Sequence, residues 1–208
     1  SLMSAPPYIL VVNPKLPVTT AAELIAYAKA NPGKLTYGSS GAGSATHLSG
    51  ALFQHMTGTE LLHVPYRGTG PATQDLVGGR LDFLCQAITA AKTQIDGGTV
   101  KALALLDAQR SPALPNVPTA AEQGKNGLEA YTWNALFLPK NAPAAVVAKL
   151  NAAAVQAIKT PEVRERLTAL GAQVASDDRA TPRYLGTFVK SETEKWAKVI
   201  QFSGAKPE

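Results

Sequence analysis

The chain has 208 residues, enough for one large or two small domains, and 45% of them are hydrophobic at a mean hydropathy of -0.02, which excludes a disordered polymer. Its formal charge is +5 with a pI near 9.3, yet Lys and Arg are scattered, so a nucleic-acid surface is not expected while a mild attraction for anions is. The single cysteine, Cys85, permits no internal disulfide, and no apolar run approaches the roughly 18 residues of a membrane-spanning helix.

Tyr8–Val12 is an unbroken apolar run stopped by Asn13-Pro14 and predicts a buried strand. Ser1-Leu2, ahead of Met3, reads as an addition in front of a natural start. Thr20, Ala21, Ala22 and Glu23 form a capping box for a helix that stops at Asn31-Pro32-Gly33. From Lys34 to Leu48 the pattern is a short strand, then a loop of small residues (Gly38, Ser39, Ser40, Gly41, Ala42, Gly43, Ser44), then a helix. Leu48, Leu52 and Met56 line one side of that helix at i, i+4 spacing, and Gly58 ends it. Glu60–Val64 predicts the next strand, running into Pro65, Tyr66, Arg67 and Gly68. Gly70-Pro71 opens a further helix that Gly78-Gly79 closes. Leu81–Cys85 predicts a strand with Cys85 as a buried structural thiol, Ala87–Asp96 a helix, and Val100–Leu106 another strand.

This alternation predicts an α/β fold with a mainly parallel sheet and helices on both faces. Ligands of such sheets sit at the carboxyl ends of the strands, which brings together Gly38–Ser44, Pro65–Gly70 and Gln86–Thr89. After Leu106 the texture changes. Pro112, Pro115 and Pro118 mark an irregular connection, and a second capping box runs from Thr119 to Glu122. Tyr131–Leu138 predicts a strand, followed by helices over Pro143–Ile158, Pro161–Leu170 and Pro182–Gln201. On the last of these Leu185, Phe188, Trp196, Val199 and Ile200 form the expected buried face. Residues 10–104 are expected to be a complete α/β lobe with the Gly/Ser loop, and residues 105–208 a helix-rich second lobe short of strands.

The Gly/Ser loop is where the chemistry concentrates. Its glycines let the backbone approach a ligand, and the helix it opens has N–H groups with no internal partner. With the helix dipole and the serine hydroxyls, these donors suit a carboxylate or a phosphate. A tight turn with no ligand is the plain alternative. Gly38 and Gly43 have the outer spacing of a P-loop, but Ser44 stands in the place of its lysine. Gly41–Thr46 begins like a dinucleotide fingerprint, with Thr46 in place of the third glycine, and a nicotinamide-dependent oxidoreductase is the enzyme alternative. A nucleophile elbow is absent, because Ala42 follows Ser40 at the position that needs glycine.

His47 lies one turn after Ser44 with no acidic residue placed to orient it, so no catalytic residue is assigned. His55 and His63 read as a helix-surface and a strand residue, and no metal-ligand spacing occurs. Tyr66 and Arg67 at a strand's carboxyl end can wall a pocket and pair with an anion, though a surface arginine on a turn fits equally well. Trp133 is more often core than pocket wall. Neither a metal nor a cofactor is expected.

Several segments recur together in one family. They are Val11–Pro14, Ala22–Leu35, Tyr37–Ser44 with His47-Leu48, His63–Gly68, Gly79–Asp82, Leu114–Thr119, Trp133 and Pro161–Leu167. In this order they resemble the Bug/TctC family, the extracytoplasmic solute receptors of tripartite tricarboxylate transporters. The resemblance implies a two-lobed, type II periplasmic-binding-protein-like fold, no catalysis, and a small carboxylate (a di- or tricarboxylate, acidic amino acid or aromatic acid) held between the lobes. It implies delivery to membrane transporter subunits and a periplasmic location. Carried onto this chain, Ser39, Ser40, Gly41, Gly43, Ser44 and His47 belong to the carboxylate cradle, with Tyr66, Arg67, Gly68, Gln86 and Trp133 around it. Related sequences commonly have Asp where Gln86 stands, which favours a plain acid over an amino acid. They also carry a further N-terminal segment that builds much of the first lobe. A shortened homologue without binding activity, or a homodimer covering the surface that segment would occupy, is therefore a further expectation.

Overall fold

A computed structural model describes residues 1–204. In chain order its elements are β1 (Leu2–Ser4), β2 (Tyr8–Val12), α1 (Ala21–Ala30), β3 (Thr36–Ser39), α2 (Ala45–Thr57), β4 (Leu62–Pro65) and α3 (Thr69–Gly78). These are followed by β5 (Phe83–Ala87), α4 (Ile88–Asp96), β6 (Lys101–Leu106), β7 (Asn134–Ala135), α5 (Ala144–Lys159), α6 (Pro161–Ala169) and α7 (Pro182–Ser203).

Five strands form one sheet in the order β4-β3-β5-β2-β6. β3 is parallel to both β4 and β5, whereas β2 is antiparallel to β5 and β6. Four strands thus run one way and β2 runs against them. A strand buried on both faces reads as a continuous apolar run in either direction. The run Tyr8–Val12, buried throughout, therefore signalled a central strand but not its orientation.

Each face of this sheet carries its own core. One combines Leu10, Val12, Tyr37, Phe83 and Cys85 with Leu24, Ile25 and Ala28 of α1 and Phe53 of α2. The other combines Ile9, Val11 and Leu84 with Ala72 and Leu76 of α3 and Ile88 and Ala91 of α4. Burial without a polar partner pushes the Cys85 thiol up to about 12, as expected of a structural cysteine. β3 therefore leads to a helix on one face and its neighbour β5 to a helix on the other, which creates a topological switch point between them.

The boundary expected after residue 104 cuts through β6, and Leu114, Ala120, Leu128 and Ala130 complete the two cores of the five-stranded sheet. A third core joins Leu2, Ile158, Ala175, Ala180, Leu185 and Phe188, with Leu2 fully buried. The strand expected over Tyr131–Leu138 shrinks to β7, paired with β1, while Leu136, Phe137 and Leu138 remain exposed. An apolar segment pairs only where an edge is offered, and β1 spans just three residues.

The two capping boxes have different outcomes. At α1 the Glu23 N–H donates to Thr20 Oγ1 (3.1 Å) and a helix follows. At the second, Glu122 N–H donates to Thr119 Oγ1 (3.1 Å) and Thr119 N–H to Glu122 Oε2 (2.7 Å), but Gly124 turns the chain at φ +74° and only turns follow. On α7, Leu185, Phe188 and Val199 are buried as expected, Trp196 packs partly on the first core, and Ile200 is 42% exposed.

Gly38 is the tightest point beneath the loop. A Cβ there would lie 2.5 Å from a Leu81 methyl and 2.7 Å from a Leu84 methyl, both fully buried. Gly38→Ala should lower the unfolding free energy by roughly 1–3 kcal/mol, measured by urea denaturation.

Candidate functional site

The carboxyl ends of β4, β3 and β5 lie side by side at one edge of the sheet, and each leads into a helix: α3, α2 and α4 respectively. Backbone bonds tie the first two loops together. Tyr66 N–H donates to the Ser39 carbonyl at 3.0 Å and Gly68 N–H to the Ser40 carbonyl at 3.3 Å. Gly41, at φ +134°, faces the Tyr66 carbonyl, so a side chain there would be strained. Ser39, Ser40, Gly41, Gly43, Ser44, His47, Tyr66, Arg67 and Gly68 are thus brought to one place.

Much of the loop's donor capacity is already spent internally. Ser40 N–H donates to Thr46 Oγ1 (2.8 Å), Gly41 N–H to Ser39 Oγ (3.1 Å), Gly43 N–H to His47 Nδ1 (3.0 Å) and Ser44 N–H to the Gly41 carbonyl (3.2 Å). Ser44 caps α2 by accepting from His47 N–H, and its hydroxyl donates to the Gly41 carbonyl at 2.7 Å. The expectation that these particular amides converge on a ligand is therefore corrected. Within the described residues it is Ala42, Ala45 and Thr46 whose N–H groups lack an acceptor at the start of α2. The N–H groups of Thr69 and Gly70 are likewise free at the start of α3, which Gly68 opens without a side-chain cap.

The side chains divide in the same way. Ser39 is fully buried, its Oγ 2.6 Å from His63 Nε2 and 3.0 Å from the Gly41 carbonyl, so it is structural. Tyr66 does not wall an open pocket: its hydroxyl donates to Asp75 Oδ2 at 2.8 Å, and that carboxylate also accepts from Arg80. These bonds, Arg80 first, hold Asp75 below its usual range, and burial followed by the Asp75 contact raises Tyr66. Arg67 is exposed and makes no hydrogen bond or ion pair with the described residues. Gln86 is fully buried at the end of β5, its Oε1 3.4 Å from Thr73 Oγ1 and its Nε2 without a partner. Trp133 is partly buried against the third core, its ring meeting Phe188 edge-on at 5.6 Å and the exposed Phe137 at 6.3 Å.

Two functional features escaped sequence reasoning. His63, 16 positions beyond His47, stacks on it with ring centroids 3.9 Å apart and planes 7° from parallel, and Tyr37 stacks on His63 in turn at 4.9 Å. Only the alternation of β4 hinted that His63 faces α2. Burial holds His47 below its ordinary value, and burial plus the His47 ring pushes His63 down to about 4. The second is Thr46, whose hydroxyl lies 3.0 Å from both the Ser40 and Ser44 hydroxyls and accepts from the Ser40 amide. In the dinucleotide reading this position demands glycine for close packing, and here the hydroxyl is the centre of the loop's own network. A separate groove of about 540 Å³, lined by Leu136, Phe137, Leu138, Leu150 and Val189 among others, contains none of the expected site residues.

Residues 1–205 match the family model described as the tripartite tricarboxylate transporter family receptor, TctC, and the chain belongs to that family. A Pseudomonas sp. (strain P51) relative, the UPF0065 protein in the tcbD-tcbE intergenic region, is 42% identical over 195 residues, covering 93% of this chain and 57% of that protein. Among solved structures, R. palustris Rpa4515 with adipate superposes at a TM-score of 0.91 with 34% identity, over 100% of this chain and 68% of that one. MatC from Rhodopseudomonas palustris with bound malate gives 0.90 and 34%, over 96% and 68%. The chain spans about three fifths of the length of the curated relatives it matches. The fold is the open-sheeted α/β type of periplasmic binding proteins, and its two-lobed relatives share it.

The histidine pair has a consequence for acid stability. Both imidazoles take protons more readily in the unfolded chain, where the ordinary value is 6.5, so folding releases protons and the stabilisation holds fully above that value. The unfolding free energy should fall as pH drops from about 6.5 towards 4, and urea titrations should show a shallower fall in His63→Gln.

Proposed function

We propose that the chain is the carboxylate-receiving part of a periplasmic, non-catalytic solute receptor. Its ligand is a small carboxylic acid, and its receiving partners are the membrane subunits of a tripartite tricarboxylate transporter. The observation that carries this reading is the set of unpaired amides opening α2 and α3, at the carboxyl ends of adjacent parallel strands, with the exposed and unpartnered Arg67 in the loop that leads into α3. Helix N-termini hold anions through free N–H groups and the helix dipole, and a guanidinium adds a charged, bidentate donor. Membership of the receptor family and the adipate and malate held by two structural relatives support the same class of ligand.

The affinity this surface can supply follows from its donors. A charge-assisted hydrogen bond contributes about 1.5–3 kcal/mol and a helix terminus up to about 2 kcal/mol, against about 4 kcal/mol for millimolar and about 8 kcal/mol for micromolar binding. Donors on one side reach the millimolar range, and closure over the ligand by a second surface adds the rest by excluding water.

Titration calorimetry with adipate and malate on the 208-residue chain tests the reading, and absence of heat at millimolar ligand would refute it. Arg67→Gln should weaken binding by roughly ten- to a hundredfold. Because Arg67 is exposed and unpaired, the same change should leave stability within about 0.5 kcal/mol, which urea denaturation reads directly.

Ser44→Ala acts differently, since it removes both the α2 cap and the bond to the Gly41 carbonyl. It should cost about 1 kcal/mol of stability and weaken the same carboxylates, with thermal denaturation and calorimetry as the paired measurements.

A further inference from the structure

We propose that carboxylate binding at this site takes up a proton on His47, which holds the Gly43 amide in reserve and surrenders it to the ligand. The inference rests on the carboxylate reading above and adds a donor set and a proton to it.

The geometry begins with the tautomer. Gly43 N–H donates to His47 Nδ1 at 3.0 Å, so Nδ1 of the neutral ring carries no proton and Nε2 does. A proton arriving from solvent must therefore land on Nδ1. There it turns an acceptor into a donor that faces the Gly43 N–H, and the hydrogen bond becomes a repulsion between two donors. An anionic oxygen that enters as the two nitrogens draw apart accepts from both, at about 2.8 Å from each. Gly43 is exposed and lies in the left-handed region at φ +73°, next to the free amide of Ala42, so the ligand reaches this point from the solvent side of the loop.

The surroundings accept one proton and no more. His63 of β4 lies flat against His47 at 3.9 Å, and two stacked cations at that distance repel strongly. Ser39 of β3 engages His63 Nε2, and Tyr37 of β3 stacks on His63 at 4.9 Å, with its centroid 6.3 Å from His47. His63 is the more depressed of the two, which leaves His47 to take the proton. No carboxylate or other charged side chain acts on either ring among the described residues; α7, which packs on α2, presents Phe202 to His55 instead. The charge that stabilises the protonated state must then come with the ligand.

Linkage makes this measurable in both directions: an anion that favours protonated His47 raises its midpoint, and lower pH tightens the anion. The imidazole signals of the 208-residue chain are followed by NMR from pH 8 to 4, alone and with saturating adipate or malate, with His47 assigned through His47→Gln. The His47 midpoint should rise by about one unit or more on saturation, and Kd should fall by about twofold or more between pH 8 and 6. His47→Gln, which keeps an acceptor for Gly43 but takes no proton, should show a flat Kd over that range. Binding with an unmoved His47 midpoint and a flat Kd in the wild-type chain would overturn this inference and leave the carboxylate reading standing. Failure of both acids to bind at any pH would overturn both.

Discussion

The pair of backbone bonds from Tyr66 and Gly68 to the carbonyls of Ser39 and Ser40 is the constraint on which the site depends. They fasten the chain leaving β4 to the chain leaving β3, where successive helices start close together. Without them the starts of α2 and α3 would be two separate surface features, and neither has enough donors to hold an acid. Gly38 serves the same end, because only a residue without a side chain lets β3 lie flat on Leu81 and Leu84 just before the loop.

Within that fastening, the loop is more self-sufficient than a bare anion cradle. Thr46 Oγ1, Ser39 Oγ, His47 Nδ1 and the Gly41 carbonyl each take a loop amide, which keeps the glycines in one conformation before any ligand arrives. Preorganisation of this kind limits the ordering cost of binding, while it also reduces the number of free donors. The free amides at Ala42, Ala45 and Thr46 open α2 and those of Thr69 and Gly70 open α3, and the exposed Arg67 adds a positive charge to the loop between β4 and α3. At the far side of α2, α7 lies across the helix, and its Glu192 accepts from the Tyr131 hydroxyl at 2.6 Å and from Trp196 Nε1 at 3.2 Å. This buried carboxylate ties the third core to the helix that covers the first.

Much of the fold could be read from the letters because its signals are local. The β/α alternation from Tyr8 to Leu106, the capping box at Thr20, and Pro161 and Pro182 at first helical turns all follow from spacing within a few residues. The failures were non-local. Tyr131–Leu138 has strand composition, but its length as a strand depends on the partner edge that β1 offers. Thr119–Glu122 makes every bond of a capping box and still opens no helix, since Gly124 ends the turn and residues 120–130 are drawn into the sheet's cores.

The amino-acid order alone determined which groups are available: the glycines and serines at the end of β3, the donors of three helix starts, and the arginine after β4. It also determined the family, because that rests on motif order along the chain. Tertiary structure decided how those groups are used. It set β2 against its neighbours, brought His63 onto His47, and committed the amides of Ser40, Gly41 and Gly43 to partners inside the protein while leaving others free. The physical reason is that a hydrogen-bond donor is fixed by residue type, whereas its acceptor is chosen by whatever packing brings within about 3 Å, and in this site packing across β3 and β4 makes that choice.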